Sequence, residues 1–127
     1  MTRVHINIGV QNIDESIKFY TALFGGAPSV VRQDYAKWSL EKPALNFALS
    51  SCCGGQGVHH LGIQTDAGTE LDSVLGRMKS AGYGGEKATN VSCCYSQQDK
   101  AWFEDPLGVR WEVFKTHGEA PASQCCA

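Results

Sequence analysis

The chain has 127 residues, 43% of them hydrophobic and 19% charged, which suits one compact domain with its own core and needs no second. The formal net charge is −2 at pH 7, and no Lys or Arg cluster forms a stripe that could track phosphates, so nucleic acid is excluded as a partner. Met1-Thr-Arg3 leads straight into alternating residues without a secretory apolar core, and no apolar run approaches membrane length. A soluble cytoplasmic protein with no membrane partner is expected.

Val4 to Val10 alternates, placing Val4, Ile6, Ile8 and Val10 on one face of a strand and His5, Asn7 and Gly9 on the other. Asn12 then reads as a helix N-cap with Glu15 three residues on, and Ile13, Ile17, Tyr20 and Phe24 recur at helical spacing until Gly25-Gly26. Short extended pieces follow at Ser29–Arg32, Tyr35–Leu40 and Leu45–Leu49, separated by turn residues such as Gln33-Asp34 and Lys42-Pro43. Cys52 to Gly57 is small and Gly-rich, as a connection would be.

Val58 to Thr65 opens a second strand. Leu71, Val74, Leu75 and Met78 give a second helix ending near Gly82. Strand-like pieces recur at Gly85–Thr89, Lys100–Glu104 and Val109–Lys115, the last two joined by the tight turn Asp105-Pro-Leu-Gly108. The halves share one grammar at a spacing of about fifty residues. The sequence therefore predicts an α+β fold of two tandem βαβββ modules. One domain spans residues 1–116, with modules at about 3–51 and 57–115, and residues 117–127 form a flexible polar tail.

Superimposing the halves lays His5-Ile-Asn-Ile8 over His60-Leu-Gly-Ile63, so the repeat selects His60 rather than His59. It also lays Leu45-Asn-Phe47 over Trp111-Glu-Val113, turning Asn46 and Glu112 to the face of the histidines. Two imidazoles and one carboxylate make a facial triad, suited to Fe(II), Mn(II), Zn(II) or Ni(II) with positions left open. Asn46 is the fourth repeat-related position and a poorer ligand. Taken singly, each of the three would be an ordinary half-exposed strand residue; their symmetry-matched placement favours a metal. His59 and His117 read as structural or solvent-facing.

All six cysteines occur as neighbours, at Cys52-Cys53, Cys93-Cys94 and Cys125-Cys126. Adjacent α-carbons lie about 3.8 Å apart, below the usual span of a disulfide, so neighbours rarely bond to each other. Without a secretory signal, free thiols are expected. A reduced pair of soft sulfurs forms a pincer for a thiol-seeking atom. On a regular strand Cys93 and Cys94 would point to opposite faces, and the Ser, Asn and Gln residues of 89–98 predict an irregular loop from which both can converge.

The hairpin Asp105-Pro-Leu-Gly-Val-Arg-Trp-Glu112 resembles that of the vicinal oxygen chelate (glyoxalase/bleomycin resistance/dioxygenase) superfamily, and the resemblance runs from about Arg3 to Lys115. The run Cys93-Cys-Tyr-Ser-Gln-Gln-Asp-Lys-Ala-Trp102 with Arg110-Trp-Glu-Val113 is similar to the carbon–arsenic lyase subgroup and to cadmium-induced proteins. The resemblance implies that the two modules form a curled mixed sheet with a metal-binding cleft, and that the protein is a non-haem Fe(II) dioxygenase with molecular oxygen as co-substrate. It would demethylate methylarsenite, and act on trivalent aromatic arsenicals, for arsenic detoxification. His5, His60 and Glu112 would bind Fe(II), and Cys93 with Cys94 would hold the small-molecule organoarsenical. Lys100 matches the same motif, either lowering a thiolate pKa or contacting substrate, or else standing as a solvated strand residue.

Two other functions compete. A cadmium- or arsenite-sequestering protein would use the thiols without turnover, and a glyoxalase-like metalloenzyme would use the cleft with a fourth ligand, which Asn46 supplies poorly. Cys52-Cys53 and Cys125-Cys126 match no part of the motif. Both a monomer and a homodimer can close such a cleft.

Overall fold

The structure is a computed structural model. It describes residues 1–52, 55–93 and 95–119, with the backbone alone of Cys93 and Glu119. The expectations for Cys53, Cys94, Cys125, Cys126 and the tail beyond residue 119 lie outside the described residues.

Ten elements follow in chain order: β1 (Arg3–Gly9), α1 (Ile13–Phe24), β2 (Val30–Arg32), β3 (Tyr35–Glu41), β4 (Ala44–Ser50), β5 (Gly57–Gln64), α2 (Gly68–Ser80), β6 (Lys87–Cys93), β7 (Ser96–Glu104) and β8 (Arg110–Glu119). The strands form one eight-stranded mixed sheet in the order β2-β3-β4-β1-β5-β8-β7-β6. Each βαβββ module contributes four consecutive positions, and the modules meet where β1 runs antiparallel to β5. Within each module the first strand pairs parallel with the last, β1 with β4 and β5 with β8. The α+β fold read from the repeat is the one found.

Local chemistry accounts for the element ends. Asn12 caps α1, its Oδ1 accepting from the Glu15 amide at 3.0 Å, and Gly25 at φ 78° lets the amides of Gly25 and Gly26 turn back onto the Thr21 carbonyl. The Asp105 side chain closes the last turn by accepting from the amides of Leu107 and Val109, both at 2.9 Å. Among the described residues no helix is long and apolar enough to cross a membrane.

Each module has its own core on the helix-covered face of the sheet. Ala36, Trp38, Phe47 and Leu49 pack under α1 through Ile13, Ile17, Tyr20 and Phe24. Leu71, Ala101, Phe103 and Val113 pack with Val74, Leu75 and Met78 of α2. Fully buried side chains of this size, Trp38 and Leu71 among them, each contribute about 1.5–3 kcal/mol. The opposite face of the sheet is free for polar side chains.

Two segments depart from expectation. Residues 89–98 form most of a hairpin, β6 running to Cys93 and β7 starting at Ser96, with Cys93 paired to Ser96. Among the described residues of this segment, the irregularity that small polar residues suggested is confined to a bulge between Ala88 and Val91, where Asn90 takes a φ of 53°, and to Tyr95 at φ 63°. Likewise β8 continues through Thr116 to Glu119, pairing Thr116 with Gln98 and Gly118 with Gln97. Residues 117–119, expected in the flexible tail, thus belong to β8 and pair with β7.

Gly62 of β5 sits between His5 of β1 and Glu112 of β8. A Cβ there would lie 2.2 Å from the Glu112 carbonyl oxygen, a contact no L side chain tolerates. Gly62→Ala is expected to push β8 from β5 and cost at least about 2 kcal/mol, read as a lower midpoint in chemical denaturation.

Candidate metal centre

Three adjacent strands bring the triad together. His5 stands on β1, His60 on β5 and Glu112 on β8, with Gly62 leaving room between His5 and Glu112. The two Nε2 atoms lie 3.0 Å apart, and Glu112 Oε1 is 3.6 Å from each. An ion about 2.0–2.2 Å from three donors spaces them by roughly 3 Å in an octahedral face and roughly 3.4 Å in a tetrahedral one, so this donor set fits a divalent ion. His5, His60 and Glu112 are 5%, 2% and 4% exposed, which removes the alternative of half-exposed strand residues. They are also the group of His, Cys, Asp and Glu side chains, among the described residues, whose ligand atoms converge within 4.8 Å.

Each ligand is oriented by a neighbour from another element. Asn46 of β4 presents its backbone oxygen and Oδ1 to His5 Nδ1, both at 3.1 Å. Two acceptors fix the proton on Nδ1 and leave the Nε2 lone pair facing the centre. The Asn46 amide nitrogen donates to Gln64 Oε1 at 3.1 Å, so Asn46 holds a ligand and is not itself one. His60 Nδ1 meets His59 Nδ1 at 2.7 Å, and with His60 as the donor its Nε2 also faces the centre. His59 can reach its neighbour because the β1–β5 register shifts there, Asn7 pairing with His60 and Ile8 with Val58.

Lys100 of β7 is buried, its Nζ 2.7 Å from Glu112 Oε2, which leaves Oε1 for the centre. This corrects the reading of Lys100 as a solvated strand residue. The same lysine lies 5.7 Å from the ring of Trp102. That ring stands edge-on to His60 at 5.0 Å and carries the Arg110 guanidinium 4.3 Å from its centroid. Phe114 closes the other side, edge-on to His5 at 5.1 Å.

The protonation states suit metal binding. Burial pushes His5 down from 6.5 to about 4, although the Glu112 charge pulls the other way. Burial by itself would raise the Glu112 carboxyl; the close approach of His60 and the charges of Lys100, His5 and His60 overturn it and leave Glu112 at about 2. At neutral pH the centre therefore holds a neutral His5 and a carboxylate anion, the forms a metal requires.

The thiols are less fully visible. Cys93 closes β6, and Cys94 lies outside the described residues. Tyr95, the next residue, hydrogen-bonds through its hydroxyl to Asp34 Oδ1, and its ring lies 5.6 Å from that of Tyr35. Tyr35 in turn lines a small cavity shared with His5 and Glu112. The hairpin end that carries the doublet is thus tied to the rim of the centre. Cys52 is disulfide-bonded, so the expectation of free thiols fails there. His117 is half-exposed and pairs with Asp99 at 2.9 Å, the surface role expected of it. The repeat puts Asn46 on the face of the histidines but not in its role of orienting His5, and nothing in the sequence marks the contact of His59 with His60.

Two outcomes are expected. Asn46→Ala frees the His5 ring and should weaken metal binding about 10–100-fold, measured by Co(II) titration. Between about pH 6.5 and 4 the unfolded chain takes up a proton that buried His5 refuses, and between about 4.5 and 2 one that Glu112 refuses. Because the unfolded state binds more protons throughout, the metal-free protein should lose thermal stability steadily as pH falls from about 6.5 towards 2, with no contribution from these groups above neutrality.

Comparison with known proteins identifies the family. The chain is 40% identical over 119 residues to the trivalent organoarsenical cleaving enzyme of Bacillus sp. strain MD1, covering 91% of this chain and 74% of that one. It is 36% identical to the probable trivalent organoarsenical cleaving enzyme of Bacillus subtilis, covering 99% and 91%. It is 31% identical to the cadmium-induced protein CadI of Mycobacterium tuberculosis, covering 99% and 93%. Among solved structures, an extradiol ring-cleaving dioxygenase from B. fuscum superimposes with a TM-score of 0.68 at 17% identity, over 93% of this chain and 33% of that one. Methylmalonyl-CoA epimerase of Streptomyces coelicolor gives 0.64 at 17% identity, over 93% and 99%, so the fold alone is shared with both. The Glyoxalase/Bleomycin resistance protein/Dioxygenase superfamily matches residues 2–113, and the chain belongs to that superfamily.

Proposed function

We propose that this protein cleaves the carbon–arsenic bond of trivalent organoarsenicals, methylarsenite and trivalent aromatic arsenicals alike, to release arsenite in arsenic detoxification. It does so as a non-haem Fe(II) dioxygenase acting in the cytoplasm. The observation that carries this reading is the buried His5, His60 and Glu112 triad, in a chain whose β6 ends at Cys93, the first residue of the cysteine doublet in the sequence. The relatives named for trivalent organoarsenical cleavage, at 32–40% identity, support the substrate class.

Bound at the triad, Fe(II) would supply open positions and the electrons that activate oxygen. The protein supplies the rest. Cys93 and Cys94 fill the two free valences of a trivalent arsenic carrying one organic group, which makes attack on that group effectively unimolecular. Lys100 holds one oxygen of Glu112, so the carboxylate offers the other to the ion. Phe114 and Trp102 flank the histidines and exclude water. For a methyl substrate, CH3As(OH)2 and O2 give CH2O and As(OH)3, a balance that needs no further reductant.

Sequestration of cadmium or arsenite without turnover is the second reading, favoured by the likeness to cadmium-induced proteins. A glyoxalase-like reaction is less favoured, because Asn46 is engaged by His5 and Gln64 and supplies no fourth ligand.

Glu112→Ala separates the readings. Arsenite release from methylarsenite should fall by more than about 100-fold while arsenical binding stays intact. Equal loss of binding would favour sequestration at the triad, and full-rate release without oxygen or iron would sink the dioxygenase reading.

A further inference from the structure

Gln98 of β7 is 6% exposed, and its side chain faces a small cavity on the His5 and Glu112 edge of the triad. Its Oε1 is fully enclosed and has no hydrogen-bond partner among the described residues. A buried amide oxygen left unpaired forfeits the hydrogen bonds it had in water, whereas an apolar side chain of similar size would pack there at no such loss. A polar group in this position is therefore matched by something that enters the cavity.

The cavity limits what that is. Its volume of about 10 Å3 is close to the least that holds one water molecule. Of the neighbouring polar groups, Asn46 is committed to His5 and Gln64, and Lys100 to Glu112, while Tyr35 and Lys37 also line the cavity. Register places Thr116 directly opposite Gln98 on β8, and its side chain also lines the cavity. An acceptor on one wall and a hydroxyl on the other match a small ligand that both donates and accepts. Water or hydroxide has that chemistry; a halide or a thiolate lacks the proton to donate.

We propose that Gln98 is a positioning residue for the non-protein oxygen ligand of the centre. Its Oε1 accepts a hydrogen bond from a water that occupies an open metal position on the His5 and Glu112 side. The inference rests on the triad holding a divalent metal. It assigns Gln98 a role distinct from Asn46 and Lys100, since Gln98 contacts the exchangeable ligand and they contact the protein ligands. Arsenical-anchored substrate would then meet a centre whose water is held at one defined position.

The test uses the Co(II)-loaded protein, whose visible absorption reports coordination number without any turnover. Gln98→Met, an apolar side chain of similar length, should raise the Co(II) absorption as the water is lost and coordination number falls. Co(II) affinity should change only a few-fold, unlike the about 10–100-fold loss expected when a ligand-orienting partner such as Asn46 is removed. An unchanged spectrum in a folded variant overturns the assignment of Gln98 and leaves the triad reading intact. If the unmodified protein binds no Co(II), or Glu112→Ala leaves Co(II) binding unaltered, the triad reading fails and this proposal with it. A crystal structure of the unmodified Co(II) protein gives a check that needs no variant. Water within hydrogen-bond reach of both the ion and Gln98 Oε1 is the expected result, and an ion whose open positions lack it overturns the proposal.

Discussion

The antiparallel pairing of β1 with β5 is the constraint on which the rest depends. Each module ends its own sheet at its first strand, so a module alone would leave β1 or β5 as an open edge with half a site. Joining the two edges removes both and brings His5 within 3.0 Å of His60 across the seam. The parallel pairing of β5 with β8 then adds Glu112 from the next strand, and Gly62 allows β8 to come that near. The seam thus serves stability and site assembly at once, and a change of register there would separate the ligands before it exposed the two cores.

Charge follows from that assembly. A carboxylate and two imidazoles packed out of water would ordinarily be costly, and the sheet handles them by position. Lys100 neutralises Glu112 on the side away from the histidines, and burial keeps His5 uncharged. The helix-covered face of the sheet holds Trp38, Phe47, Phe103 and Val113, so polar residues on the other face do not compete for the cores. A single curled sheet can therefore carry a hydrophobic face for folding and a polar one for chemistry.

The triad was legible because of repetition. One histidine and one strand glutamate say little by themselves, but His5 over His60 and Asn46 over Glu112 share a face by alternation alone, and alternation survives folding. The segment 89–98 misled for a related reason. Ser96, Gln98 and Lys100 do alternate inward, yet they face the polar cleft instead of an apolar core, so the period-two pattern is written in polar residues that read as loop. The same applies to the end of β8, where Thr116 and Gly118 are held by the ladder to β7 and bury little.

The sequence by itself determined the two modules, the α+β class, the caps of α1 and the shared face of His5, His60 and Glu112. These are local or periodic properties, set by side-chain alternation, capping chemistry and the spacing of the repeat. Tertiary structure alone decided how the ligands are held: Asn46 on His5, His59 on His60 through a shifted register, Lys100 on Glu112, and Gln98 facing the cavity beside them. The Asn46 contact joins strands distant in the chain, the Lys100 contact depends on the register of the β7–β8 hairpin, and the His59 contact needs a bulge that no local pattern marks. Their geometry follows from the twist and register of the closed sheet, which are properties of all eight strands together.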